Sequence, residues 1–211
     1  MSPNPVRALG IGFAALAGAL LAGQLLHRVV LPLDPPTGHA GFAVGDTFGS
    51  SAEGFHQEVL GLEAGDRLRM RLTLEPGAAG PPLHVHDGFV ETFVVQQGEL
   101  SIELPGGVRT LKPGEQLEVP AGTPHRPFNA TDAPVVVEGP GLDLPARFAR
   151  CLTLLYPVMD ADGPVALQLS VLGNACDTHL AEVPRPVQSV LFGALAPLAR
   201  LQGYGWEPRR S

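Results

Sequence analysis

Three histidines and one glutamate stand at spacings that suit a single metal ion. Residues 84–91 read HVHDGFVE. His84 and His86 are two apart, and on a strand such residues point to the same face. Asp87-Gly88 makes a bend, and Glu91 opens a further run with Phe93 and Val95 on its own face. A third histidine, His125, follows PAGTP at 120–124. If the strands carrying these residues curl into one barrel, three imidazoles and one carboxylate converge inside it. That donor set suits one divalent transition ion: Mn, Fe, Co, Ni, Cu or Zn. Four protein ligands on a six-coordinate ion leave about two positions open. Those positions admit water, dioxygen or a chelating substrate, and the ion can polarise a carbonyl or activate an oxygen species. Asp87 reads as a turn residue. His27, His39, His56 and His179 have no partners at ligand spacing and are read as incidental.

The elements that must position these groups are short strands. From about residue 42 to 140, alternating runs are separated by Pro-Gly, Gly-Gly and Asp-Gly. The clearest is RLRMRLTL, residues 67–74, with period two. Its arginines face outward as a solvated row, and Leu68, Met70, Leu72 and Leu74 face the core. ETFVVQ (91–96), SIEL (101–104), VRTL (108–111), LEVP (117–120) and PVVVEG (134–139) continue the series. Strands at this pitch, with turn signals between them, indicate a sandwich or barrel. Alternation places Met70, Leu72, Phe93, Val95, Leu117, Val119 and Phe128 on the pocket walls, an apolar lining suited to a small molecule.

Two motifs then agree jointly. His84-x-His86-x4-Glu91-x6-Gly98 and Gly114-x5-Pro120-x-Gly122-x2-His125-x3-Asn129 resemble the two motifs of the cupin superfamily. One departure is the leading glycine of the first motif, where Ala78 stands between Gly77 and Gly80. That glycine makes a turn and binds nothing. The resemblance covers about residues 70–138 and implies a jelly-roll β-barrel with the metal inside, Asn129 and the glycines being structural. It also implies a homodimer, a common state of such barrels. The expected fold is mainly β. Residues 1–33 form an N-terminal hydrophobic helix and its flanks, 34–144 the barrel (motifs at 80–98 and 114–129), and 145–211 a helical tail.

The flanking regions carry separate expectations. Residues 8–26 contain no charge and one polar side chain, Gln24, and approach the ~20 residues that a spanning helix needs. A single-pass membrane anchor is preferred over a cleaved signal peptide, whose site would be poor, and over a soluble covering helix. Arg7 and Arg28 nearly balance, and the reading leans toward a barrel outside the cytoplasm. In the tail, residues 145–159, 164–182 and 186–201 read as helical, with Pro145, Pro164 and Pro186 near helix starts. Phe148, Leu152 and Leu155 share one face. The tail packs on the barrel or on a second subunit, or lays residues 190–201 on a membrane surface. Cys151 and Cys176 are too few for a disulfide framework. They are read as two half-buried small residues, with pairing left open.

Composition narrows the function. A net charge of −7 and no basic run argue against nucleic acid as partner. Three functions stay open. The first is a mononuclear metal-dependent oxygenase or oxidoreductase acting on a small organic molecule. The second is a non-catalytic ligand- or metal-binding sensory module at a membrane. The third is a metal-dependent sugar isomerase or epimerase, although no basic pocket for a sugar phosphate is evident. Fold likeness does not choose among them.

Overall fold

A computed structural model describes Ala15, residues 17–26, His39, and residues 41–161, 164–173 and 175–206. Residues 17–25 are helical (α1). Alternation then decides the sheets. β3 (Arg67–Leu74) buries Leu68, Met70, Leu72 and Leu74 and turns its arginines outward. It lies antiparallel between β2 (Phe55–Glu63) and β10 (Val135–Pro145). Both registers put a glutamate opposite Arg71, Glu58 on one side and Glu138 on the other. The guanidinium donates to each at 2.8 Å. The outer row is therefore paired across three strands at Arg71, not merely solvated. Such half-exposed pairs contribute about 1 kcal/mol or less each.

β1 (Thr47–Ser50) extends the sheet beyond β2, while β5 (Glu91–Gln97) and β8 (Gln116–Val119) extend it beyond β10, in the order β1-β2-β3-β10-β5-β8. A second sheet has the order β7-β6-β9, from β6 (Leu100–Leu104), β7 (Gly107–Leu111) and β9 (Arg126–Phe128). Inward side chains of both sheets, among them Phe55, Val59, Met70, Phe93, Ile102 and Val137, form one apolar cluster. The alternating runs read from the sequence are β3, β5, β6, β7, β8 and β10. β1, β2 and β9 are additional. β4 (His84–His86) belongs to neither sheet: it pairs with β11 (Thr178–Leu180) in the tail and is bridged to His125.

The missing motif glycine has a local explanation. Gly77 and Gly80 both have φ of +69°, a region that favours glycine. The turn is made beside position 78, so Ala78 itself can sit buried in the core. Ala78 O accepts from Asn129 N at 2.9 Å. Asn129, 1% exposed, then ties the loops together. Its Nδ2 donates to Glu75 O and Ala133 O, both at 2.8 Å, and its Oδ1 accepts from Thr131 N and Oγ1 at 3.0 and 2.8 Å.

The tail is a second layer. α2 (Ala146–Asp160) buries two faces. Phe148, Ala149, Leu152 and Tyr156 join the barrel core. Cys151 and Leu154 join a smaller cluster with residues of α3 (Val165–Leu172) and α4 (Arg185–Leu201), together with Trp206. Pro145 and Pro164 precede α2 and α3, and Pro186 lies in the first turn of α4. The expected helix over 164–182 is corrected. α3 ends at Leu172, and Thr178–Leu180 is strand. The open edge of β4 supplies backbone partners there that a continued helix would leave unmet. The reading of Cys151 and Cys176 as two separate small residues is also corrected. They form a disulfide, with Cα atoms 5.9 Å apart, because helix packing sets α2 beside the turn after α3.

The apolar run 8–26 falls partly outside the described residues. Among the described residues no helix is long and apolar enough to cross a membrane, so the anchor expectation finds no support there. The one polar side chain of the run faces the protein. Gln24 Nε2 donates to Ser189 O and Val190 O, at 3.0 and 2.8 Å, at the flank of α4.

Two stability predictions follow from these contacts. Asn129→Ala leaves buried carbonyls without donors and should lower unfolding free energy by about 2–3 kcal/mol, measured by urea denaturation. Replacing both cysteines by serine opens a loop with sequence separation 25. That should cost about 3 kcal/mol, read as a lower melting temperature and as loss of the reduction-sensitive mass shift.

Candidate metal centre

β4 is only three residues long, and its position is set from both sides. On one side His84 N donates to His125 O at 3.1 Å and His125 N returns to His84 O at 2.9 Å. On the other side Thr178, His179 and Leu180 pair with His86, Val85 and His84. Alternation along β4 then sends Val85 away and turns both imidazoles toward Glu91, at the start of β5, and toward His125. One donor atom from each of His84, His86, Glu91 and His125 lies within 4.8 Å of the others. The four candidate ligands from three segments of sequence therefore meet at one point.

The chemistry of the four groups fits a cation. His84 Nδ1 and His125 Nδ1 lie 2.9 Å from the carbonyls of Pro82 and Thr123. A carbonyl only accepts, so each Nδ1 carries the proton and each Nε2 is left to the cluster. His86 is 2% exposed, and neither of its ring nitrogens has a hydrogen-bond partner among the described residues. Its Nε2 is 3.5 Å from Glu91 Oε2. An orphaned buried nitrogen costs about 1–3 kcal/mol, which an ion at Nε2 would relieve. His86 is also stacked on Phe89 and edged by Phe148, so its ring is held by packing.

Electrostatics point the same way. Burial, and then the neighbouring imidazoles of His86 and His125, push His84 down to about 3, so it stays neutral. Burial alone would raise the Glu91 carboxyl, but the His125 and His86 imidazoles hold it well below the usual range. Burial opposes charge on His125 as well, yet the Glu91 carboxylate 2.8 Å from Nε2 raises its pKa above the ordinary 6.5. Without a cation, His125 must carry both ring protons to bond Thr123 O and Glu91 together. With one, the Nε2 proton is displaced.

His84, His86 and Glu91 open into a cavity of about 270 Å³. This is near the lower end of the ~300–1,000 Å³ range of small-molecule pockets. Its walls are not those expected from barrel alternation. Of that set only Leu72 lines it. Met70, Phe93, Val95 and Val119 are fully buried core, because the barrel interior is filled by its own side chains. The chamber lies between β2, β3 and the tail: Phe148, Leu152, Leu155 and Tyr156 come from α2, Leu169 and Leu172 from α3. It also contains Glu53 and Gln57, which no motif marks. The available signal was Gln57, a polar residue at an inward position of β2. A second depression of about 680 Å³ touches Asp87, His179 and Arg185 but none of the four cluster residues.

His179, read as incidental, and Asp87, read as a turn residue, are positioning groups. His179 sits on β11, and its Nδ1 is 3.3 Å from Asp87 Oδ2. Asp87 also pairs with Arg185 of α4 at 2.9 Å. Asp177 Oδ2 accepts from Gly88 N at 2.7 Å. Together they fasten the tail to the bend between the histidine pair and Glu91.

Comparison with known proteins agrees with this architecture. Residues 70–144 match the family model described as Cupin domain, which supports placing the barrel in the cupin superfamily. The chain is 42% identical over 74 residues to "Probable oxidoreductase virH" of Hypocrea virens, covering 32% of this chain and 34% of the relative. It is 33% identical over 103 residues to "Probable oxidoreductase patJ" of Aspergillus clavatus, covering 48% and 29%. The matches thus span about a third of each curated relative. Among solved structures, KdgF from Halomonas sp. is 27% identical with a TM-score of 0.35, covering 40% of this chain and 77% of that one.

The donor set generates a direct expectation. The full chain, purified without a polyhistidine tag, should carry near-stoichiometric transition metal by elemental analysis, and His84→Ala/His86→Ala should carry none. Neutral imidazoles and a carboxylate are the binding forms, so protons compete with the ion. Because the His125 pKa is raised, metal affinity should fall as pH drops into and through the ordinary imidazole range.

Proposed function

We propose that this protein is a metal-dependent oxidoreductase acting on a small, largely apolar organic molecule, with His84, His86, Glu91 and His125 as the ligands of one divalent ion. The observation that carries the reading is the opening of the cluster into an apolar chamber. A site meant only to brace the fold has no need of such a chamber beside its ligands. The names of the two curated relatives support the reaction class.

When bound, the ion would supply Lewis-acid or redox chemistry at the cluster end of the chamber. The protein's own groups do the rest. Glu91 offsets the ion's charge and stays ionised in the buried site. Pro82 and Thr123 fix the proton-bearing nitrogens of His84 and His125, so both rings keep their Nε2 atoms toward the centre. Phe148, Leu152, Leu155 and Leu172 exclude water and favour a hydrocarbon or aromatic body. No lysine or arginine is among the described residues lining the chamber, which weighs against a sugar phosphate.

The test is oxygen uptake and product formation by the full chain. It is loaded in turn with iron, manganese, nickel, copper, cobalt and zinc, and offered small neutral alcohols, phenols and ketones. Turnover that needs a redox-active ion and vanishes in His84→Ala/His86→Ala supports the proposal. A metal-loaded protein that binds members of the panel and forms no product would replace it with a binding module.

A further inference from the structure

The chamber has polar groups besides the cluster, and two of them have an oxygen without a partner among the described residues. Gln57 lies on β2 between Phe55 and Val59, at an inward position of the alternation. It is 8% exposed, and its Oε1 is buried with no hydrogen-bond partner. Glu53, in the turn before β2, lines the same chamber, and its Oε2 is likewise buried and unpartnered. The amide oxygen is an acceptor, and so is an ionised carboxylate. Native interiors seldom leave such oxygens orphaned. Two in one chamber, amid apolar walls, mark a place where a donor belongs.

We propose that Glu53 and Gln57 form the recognition end of the chamber and accept the hydroxyl or N–H of an otherwise apolar small molecule. This rests on the reading of the chamber as a substrate site and assigns the substrate class: a hydrocarbon or aromatic body carrying a hydrogen-bond donor. Such sites discriminate strongly, because an analogue without the donor leaves the protein's acceptors unpaired.

The surroundings keep these acceptors in need of a partner. Asp160, at the end of α2, accepts from Ser50 Oγ at 2.7 Å and from Ser51 N and Oγ at 2.9 Å. These bonds, led by that from Ser50, hold its carboxyl down at about 2, so it stays charged. Burial first, and then that charge, push Glu53 up to about 7, so near neutral pH its neutral form is populated as well, and that form keeps its carbonyl oxygen as an acceptor. Tyr156 of α2 lines the chamber too, and burial with the fields of Glu53 and Glu91 raises its phenol well above the ordinary value. It remains a neutral donor and adds no competing charge.

The experiment is calorimetric titration of the zinc-loaded full chain with benzyl, phenethyl and phenylpropyl alcohols and with their methyl ethers, which lack the donor. At least one alcohol should bind tenfold or more tightly than its ether. The preference should shrink in Gln57→Met and in Glu53→Leu, and disappear in the double variant. Glu53→Gln, which keeps an acceptor oxygen, should retain it. Equal binding of every alcohol and its ether, a preference that survives in the double variant, or no binding of any alcohol would overturn the proposal. Zinc content is measured on the same samples. Equal binding of alcohols and ethers by the unmutated chain with zinc bound counts against this inference alone, and a preference shown by the unmutated chain without zinc counts against the metal reading alone.

Discussion

The site depends on how a three-residue strand is held. β4 carries two of the four candidate ligands, yet three residues cannot fix their own orientation. One edge of β4 bonds the backbone of His125, which is itself a cluster residue. The other edge bonds β11, which arrives from the far end of the chain. Backbone pairing on both edges leaves alternation as the only freedom, and alternation sends both imidazoles inward. The bond network extends outward from there. Gln188 of α4 bonds the backbone of Leu180 in both directions, and Asp177 and Asp87 brace the bend beyond His86. The histidine geometry is thus coupled to the tail.

The tail also decides what the cluster faces. Phe93, Val95, Ile102 and their neighbours pack together in the barrel core, while Phe55, Leu72 and Leu74 of the same core border the chamber. The cavity arises where α2 crosses the mouth and leaves a gap above Leu72 and Leu74. α2 can do this because it is apolar on two faces, one for the barrel and one for α3 and α4. The disulfide joins α2 to the turn that leads into β11, and both cysteines border the chamber. The barrel, α2 and strand β4 therefore border one apolar space.

Within that space the two kinds of polar group have opposite standing. Glu91 is buried but answered by imidazoles, so it keeps its charge. Glu53 is buried with a like charge nearby, so its charged form is disfavoured. The first arrangement suits a cation held between the groups. The second keeps, in either protonation state, an acceptor oxygen for a neutral ligand. The separation follows from local partners and not from residue type, since both are glutamates.

The sequence by itself determined β3, β5, β6, β7, β8 and β10 and the candidates for the cluster. Period two in RLRMRLTL is dictated by the pleat, and it survives in β3 residue for residue. His84 and His86 share a face because i and i+2 must on any strand, and Gly77 and Gly80 supply a turn that Ala78 could not. Tertiary structure alone decided the rest. The run 164–182 has helical composition, but the open edge of β4 drew Thr178–Leu180 into a strand, a contact about 90 residues away in sequence that no local pattern encodes. The Cys151–Cys176 pairing, the roles of Asp87 and His179, and the chamber walls were likewise set by where α2 and the tail dock. Local periodicity carries backbone conformation and side-chain face. It does not carry which distant surface a face will meet, and the cavity is made of such meetings.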